Sequence, residues 1–307
     1  MVCRMACLAL LLAVASLFVP ASAWLAGPAA ATARRSSLAM AGGRSQAEKS
    51  MTTRTMFKEL RTKLNEAATK PGFFDVGDSS SIELELFLKS NADGTQIGDC
   101  PFAQFVQLVM LKKGLKYKLH PVSAAKGANK PAILDSVGGK LPALLYKGKA
   151  MSDSLQIAEF IEKTYPHNTL TRQGSYSYQE VIEKTNGFFP ALSAFIKNKD
   201  EGKDETLKTA LVKQLDLLDE LIRSTPGQYI CGVELTLADL YLVPQLFHAM
   251  VACEHFKDFE VLRVGTEPER PALENYMSKL FDMEEFNSKQ AYYNVDQVIW
   301  GWSEARK

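Results

Sequence analysis

The sequence predicts two folded parts in tandem: an α/β domain over residues 80–165 in the order β-α-β-α-β-β-α, and an all-α domain over residues 172–307. Three observations carry this prediction. Strand-like apolar runs occur only in the first part, at Ile82–Leu88, Leu115–His120 and Leu141–Tyr146. Beyond the linker Tyr165-Pro166-His167-Asn168, the apolar residues recur at helical spacing. A Cys-Pro pair, Cys100-Pro101, stands where the first strand would pass into the first helix.

Ile82 to Leu88 alternates and then becomes fully apolar, as an inner strand does. Lys89 to Asp99 is polar, with Asp93-Gly94 and Gly98, and reads as a loop. In the next run Phe102, Phe105, Val106, Val109 and Met110 form one helical stripe, which Gly114 ends. Leu115 to His120 alternates again, and its close return favours a parallel β-α-β unit. Asn129-Lys130-Pro131 leads into a short turn of helix and then Gly139-Lys140-Leu141-Pro142. A proline at the edge of an apolar strand is out of place in a central ladder. A cis Leu141–Pro142 bond resolves this and leaves the Leu141 N–H and C=O free to pair with an extended peptide. Gly148-Lys149 marks a hairpin turn, and Ser154 and Asp153 are placed as N-cap and first-turn acid of a helix Leu155–Lys163. Capping alone accounts for that pair; an anion site holding a carboxylate is the sharper alternative.

Cys100 is the candidate reactive group. Pro101 suits the first helical position, where its missing N–H has no partner to lose. Cys100 is then the N-cap, where exposed N–H groups and the helix dipole favour a thiolate at neutral pH. The commoner fate of a cysteine is a small buried apolar residue. The order of elements, with cysteine at the first helix and proline before the third strand, is thioredoxin-like. The motif is Cys100-Pro101-Phe102-Ala103, with no second cysteine to resolve a disulfide. An external thiol is required, which points to glutathione.

In the second part, Val181-Ile182, Phe188-Phe189, Leu192 and Phe195-Ile196 form one long helical stripe with a kink at Pro190. Leu211, Leu215, Leu218 and Leu221-Ile222 form another. Thr236 and Asp239 have capping-box form ahead of an apolar helix Leu240–Val251. Pro271–Phe281 and Glu284–Tyr293 are the last helices expected. His248 reads as a satisfied core histidine, and Trp300 and Trp302 as packing residues.

The 307 residues carry a net charge of +1, which conceals an asymmetry. Ten of the 36 Lys/Arg and five of the 35 Asp/Glu lie in residues 1–78, which leaves 26 and 30, a net of −4, beyond. A mildly acidic folded part gives no reason to expect nucleic acid. The dispersed His120, His167, His248 and His255 do not have metal-ligand spacing, so no metal is expected. Residues 1–23 read as a signal peptide: Arg4, a 14-residue apolar run Ala6–Val19, then Ala21-Ser22-Ala23. Residues 24–47 are rich in Ala, Ser, Gly and Arg and contain no acid, which is transit-peptide composition. The Ala-Ser-Ala-Trp junction resembles the bipartite presequences of complex plastids, so a plastid is expected, with secretion as the alternative. Residues 48–79 read as a linker with a short amphipathic helix over 51–69. After residue 80 the sequence offers no run of about 20 apolar residues, so no membrane span is expected there.

A thioredoxin-like domain followed by an all-α domain resembles the glutathione transferase fold. Several motifs resemble plant-type dehydroascorbate reductases within that superfamily: Lys89, Gly98-Asp99-Cys100-Pro101-Phe102-x-Gln104, Gly139-Lys140-Leu141-Pro142, Asp153-Ser154 and Leu237-Ala238-Asp239-Leu240. Leu246-Phe247-His248, His255-Phe256-Lys257, Asn275-Tyr276-Met277 and Val298-Ile299-x-Gly301-Trp302 add to it. The chloride intracellular channel family is similar at Asn91-Ala92-Asp93-Gly94 and Asp135–Pro142. Both families usually carry Ser-Gln-Arg after Cys-Pro-Phe, where this chain has Ala103-Gln104-Phe105. The resemblance implies reduction of dehydroascorbate by two glutathiones, with Cys100 as nucleophile and carrier of the glutathione mixed disulfide. It implies that Lys89 and Asp99 meet substrate charges. Lys130, the Leu141 backbone next to Pro142, and Ser154 with Asp153 would hold glutathione. His248 and Trp302 would line the site, and the chain would act as a monomer. An omega-like thioltransferase and a channel-like membrane or partner-binding protein are the alternatives.

Overall fold

The computed structural model describes Lys58, Glu59, Thr62 and residues 83–123, 128, 130–264, 267–288, 291 and 294–307, with side chains 263–268 excepted. The signal-peptide and transit-peptide expectations lie outside the described residues. So does most of the 51–69 segment, of which Lys58, Glu59 and Thr62 are helical.

The first part is a four-stranded mixed sheet. Strand β1 (Leu84–Lys89) is followed by helix α1 (Pro101–Lys112), strand β2 (Lys118–Val122) and a 3-10 helix, Ala132–Val137. Strands β3 (Ala143–Tyr146) and β4 (Lys149–Ser152) then form a hairpin, and helix α2 (Ser154–Thr164) ends the unit. The strand order is β2-β1-β3-β4, parallel between β1 and β2 and antiparallel elsewhere. This is the thioredoxin-like arrangement, its middle helix reduced to a 3-10 turn. β1 is central and buries Leu84, Leu86 and Leu88 in the main core, while Phe87 packs on the other face with Val122, Leu134 and Ala143. β2 starts later than its alternation predicts. Its edge position also explains why it tolerates Pro121, whose missing N–H costs no ladder bond there.

The second part is helical: α3 (Tyr178–Thr185), α4 (Phe188–Lys197), α5 (Glu201–Ser224), α6 (Leu237–Lys257), α7 (Pro271–Phe281) and α8 (Val295–Ala305). Two expectations need correction. The stripe 181–196 is two helices broken at Asn186-Gly187, not one helix kinked at Pro190; Pro190 sits in the first turn of α4, where a missing N–H is harmless. Residues Glu284–Asn287 form a turn and not a helix. The last helix is α8, capped by the Asn294 Oδ1, which accepts from the Asp296 N–H at 2.7 Å.

α6 runs through the middle of this part, with Leu237 to Cys253 buried apart from Tyr241. Its start is fixed by the buried Asp239 carboxylate, which accepts from the Thr236 N–H at 2.7 Å, the Ile230 N–H at 3.0 Å and the Tyr276 hydroxyl at 2.9 Å. Burial pushes the Asp239 pKa upward against those same hydrogen bonds. α1 packs along α6, so the N-terminus of α1 faces the helical part directly.

Candidate active site

Local chain chemistry delivers Cys100 to its place. After β1, residues 90–97 make a self-closed excursion. Ser90 and Ile97 pair as a bridge, and the Asn91 Oδ1 accepts from the Thr95 and Gln96 N–H groups at 3.1 Å each. The chain returns to β1 at Gly98, whose N–H donates to the Lys89 carbonyl at 2.8 Å. A Cβ at Gly98 would stand 2.7 Å from that carbonyl oxygen, so this approach requires glycine. It sets Asp99 beside Lys89 in a 2.6 Å ion pair, with 13% and 29% of the two side chains exposed.

Cys100 is the N-cap of α1, with extended backbone (φ −76, ψ 114) and Pro101 in the first turn. Its carbonyl accepts from the Ala103 and Gln104 N–H groups at 3.1 Å each. The thiol is half-buried. Here the electrostatic expectation needs correction. Burial pushes the Cys100 thiol above its ordinary value; the Ala103 and Phe102 N–H groups pull it down, Asp99 adds to the rise, and Lys89 opposes it. The helix-start effect is present, but desolvation outweighs it, and the protonated thiol is favoured.

The helical part supplies the other wall. His248, buried on α6, accepts a hydrogen bond at Nδ1 from the Trp302 indole N–H at 3.2 Å. Burial lowers its pKa to about 4, so the ring is neutral. On α8, a Cβ at Gly301 would overlap the Asp99 carboxylate, so the helix lies directly against the cysteine loop. Trp300, expected from the sequence to be a packing residue, has its ring centroid 5.5 Å from the Lys89 Nζ. Phe189 bridges the two parts, 5.1 Å from Phe102 and 5.9 Å from Trp302 between centroids. Phe105, where the resembling families carry arginine, is fully buried and meets Tyr241 edge-on at 5.3 Å. A charge at that position would be desolvated in the interface, which accounts for the apolar residue.

The remaining candidates cluster by register. Phe87 faces Ala143, and Ala143 faces Ser152, so the exit of β1, the entry of β3 and the exit of β4 share one end of the sheet. Leu141–Pro142 is a cis peptide there. The capping expectation is corrected in detail. Asp153, at φ 81, is the N-cap, and its Oδ1 accepts from the Leu155 and Gln156 N–H groups at 3.0 and 3.1 Å. Ser154 is the first helical residue and is buried. Lys130 is exposed, ahead of the 3-10 helix. Lys89, Asp99, Cys100, His248 and Trp302 thus form one cluster. Leu141, Pro142, Asp153 and Ser154 lie at the end of the sheet where β1 exits toward the cysteine loop. Among the described residues no group of His, Cys, Asp and Glu is placed to hold a metal ion.

Two family descriptions match the chain: a CLIC-like N-terminal domain over residues 82–167 and a glutathione S-transferase C-terminal domain over residues 182–278. Glutathione S-transferase DHAR2 of Arabidopsis thaliana is 32% identical over 208 residues, covering 67% of this chain and 90% of the relative. Glutathione S-transferase DHAR3, chloroplastic, of the same organism is 29% identical over 242 residues, covering 76% and 86%. Chloride intracellular channel protein 3 of Homo sapiens is 32% identical over 194 residues, covering 58% and 80%. Among solved structures, the dehydroascorbate reductase of Chlamydomonas reinhardtii superposes with a TM-score of 0.61 at 29% identity, covering 73% of this chain and 99% of that one. A thioredoxin-like domain joined to this helical domain, matched along nearly the full length of such relatives, makes the chain a member of the glutathione transferase superfamily, with dehydroascorbate reductases among its relatives.

Proposed function

We propose that the protein reduces dehydroascorbate to ascorbate at the expense of two glutathiones, through Cys100. The observation that carries this is a half-buried thiol at a helix start, flanked by the Lys89–Asp99 pair, with the other described cysteines, Cys231 and Cys253, buried in the helical part. An electrophile at this site meets a nucleophile with a cation beside it and no neighbouring thiol in the motif. Cys100 loses its proton and adds to an electrophilic carbonyl of dehydroascorbate. A glutathione thiol then attacks the Cys100 sulfur, which releases ascorbate and leaves a Cys100–glutathione disulfide. A second glutathione thiolate attacks that disulfide, releases oxidised glutathione and restores Cys100. In balance, dehydroascorbate gains two electrons and two protons, and one S–S bond forms between the two glutathiones. Lys89 and Asp99 meet the polar edge of the substrate. The Leu141 backbone beside Pro142 pairs with glutathione as an added strand. Ser154, next to the Asp153 cap, holds its γ-glutamyl carboxylate at the start of α2. Asp153 already occupies two first-turn N–H groups, so the Ser154 hydroxyl and N–H carry that contact. Lys130 would reach the other carboxylate by moving. His248 and Trp302 close the wall facing the thiol.

The test is glutathione-dependent formation of ascorbate by the full chain beside its Cys100→Ser variant. Activity in the parent and background rates in the variant are expected; equal rates, or none in either, would sink the reading. A thioltransferase reading is favoured by the lone thiol itself and would show as faster turnover of glutathione mixed disulfides than of dehydroascorbate. The CLIC-like match over residues 82–167 favours a channel-like reading. No helix among the described residues is long and apolar enough to cross a membrane. We also propose plastid targeting by residues 1–47, in keeping with their composition and with the chloroplastic relative. N-terminal sequencing of the protein from isolated plastids, or its absence from them, decides that point.

A further inference from the structure

Helix α8 touches the cysteine region at two consecutive residues with different chemistry. Gly301 presents bare backbone, against which the Asp99 carboxylate fits. Trp300 is half-buried and presents its ring to the Lys89 ammonium, 5.5 Å from the centroid, within reach of a cation–π contact. The ammonium therefore has two partners, Asp99 at 2.6 Å and the indole. Lysine is a flexible stem carrying a point charge. One carboxylate partner alone lets that charge swing around it; a ring face as second partner narrows where it stands. Cys100 follows Asp99 in the chain, and its sulfur feels both members of the pair, in opposite senses.

We propose that Trp300 is a positioning residue of the thiol site, its indole face fixing the Lys89 ammonium against Asp99 beside the Cys100 sulfur. This rests on the reading of Cys100 as the reacting thiol and not on which electrophile it meets. The charged and titratable groups around the sulfur are Lys89 from β1, Asp99 from the loop, and the neutral His248 from α6.

The test is the rate of Cys100 alkylation by iodoacetamide in the full chain, followed on the Cys100 peptide by mass spectrometry from about pH 6 to about pH 10. Trp300→Leu is expected to slow the reaction about threefold at neutral pH by moving its midpoint upward, and Trp300→Phe, which restores a ring face, to recover most of that loss. Lys89→Met is expected to slow it at least as much, and Trp300→Leu added to Lys89→Met to slow it no further. Equal losses in the Leu and Phe variants would mean that the side chain only fills space. An undiminished Trp300→Leu effect in the Lys89→Met background would mean that the indole acts through another group. Either result overturns the proposal, as does an unchanged midpoint in Lys89→Met or in Trp300→Leu. Trp300→Met is a second ringless variant should the leucine protein not fold. A failed dehydroascorbate assay leaves these rates untouched, so the substrate reading and this one fail separately.

Discussion

The two ends of α1 each carry a lysine–carboxylate pair, and the fold treats the pairs oppositely. At the C-terminal end the Lys113 side chain is fully buried. Its Nζ lies 2.7 Å from the Glu162 carboxylate and donates to the Tyr165 and His167 carbonyls at 2.8 Å each. Glu162 also accepts from the Thr169 hydroxyl at 3.1 Å and the Leu170 N–H at 3.2 Å, and the His167 Nε2 stands 2.9 Å from the Lys113 carbonyl. Protein groups satisfy that cation and carboxylate from several directions, and the result fastens α1, α2 and the segment leading to the helical part. At the N-terminal end Lys89 and Asp99 remain partly exposed beside a half-buried thiol, with a ring on one side. A buried pair with all its hydrogen bonds met contributes to the fold and leaves little for chemistry. A partly open pair keeps polar capacity for a ligand.

Lys113→Met should break the comparison most strongly. It strands the Glu162 carboxylate and is expected to lower unfolding free energy by about 3–5 kcal/mol in urea titration, with Cys100 alkylation unchanged. A loss under about 1 kcal/mol would mean that the buried pair is not what fastens the junction. His248 comes next. Its folded pKa of about 4 lies below the ordinary 6.5, so between those values the unfolded chain binds the extra proton. Stability is therefore retained above pH 6.5 and falls as pH drops toward 4, by about 3 kcal/mol for this group. His248→Asn should flatten that share of the profile; an unchanged slope would assign the acid sensitivity elsewhere. Gly301→Ala drives a methyl into the Asp99 carboxylate and should destabilise by about 1–3 kcal/mol in urea titration while slowing Cys100 alkylation, because α8 shifts and Trp300 is drawn off Lys89. Unchanged stability would mean that α8 does not press on the cysteine loop. Asp153→Ala removes the α2 cap at a positive-φ position and should cost about 1–2 kcal/mol by urea titration, which Asp153→Asn recovers. The smallest stability effect is expected for Cys100→Ser, within about 0.5 kcal/mol. A larger loss would place Cys100 on the structural side of the comparison.

What the sequence disclosed was local. Pro101 after Cys100, the proline at the entry of β3 and Thr236 ahead of Asp239 each state a backbone requirement within a few residues, and each structural reading held. The failures were of two kinds. The apolar stripe over 178–197 runs on through the turn at Asn186-Gly187, so periodicity alone does not separate a break from a bend there. α8 begins beyond the expected last helix Glu284–Tyr293, although Asn294, two residues before Asp296, is a capping signal. The thiolate expectation weighed the helix terminus and could not weigh desolvation, which is set by tertiary packing. The Trp300–Lys89 contact joins the far ends of the folded chain, and no spacing rule could have foreseen it.

That last separation has a consequence for order of assembly. Asp99 meets Gly301 only after nearly all of the described chain has been made, and contacts so far apart bear a large loop-closure entropy. A chain that emerges amino end first can form β1, α1 and the Cys100 cap while α8 is still unborn. Until that helix docks, Asp99 and Lys89 lack the backbone of Gly301 and the ring of Trp300 against them. The nascent protein therefore passes through an interval in which the ion pair next to Cys100 stands without its carboxyl-terminal wall.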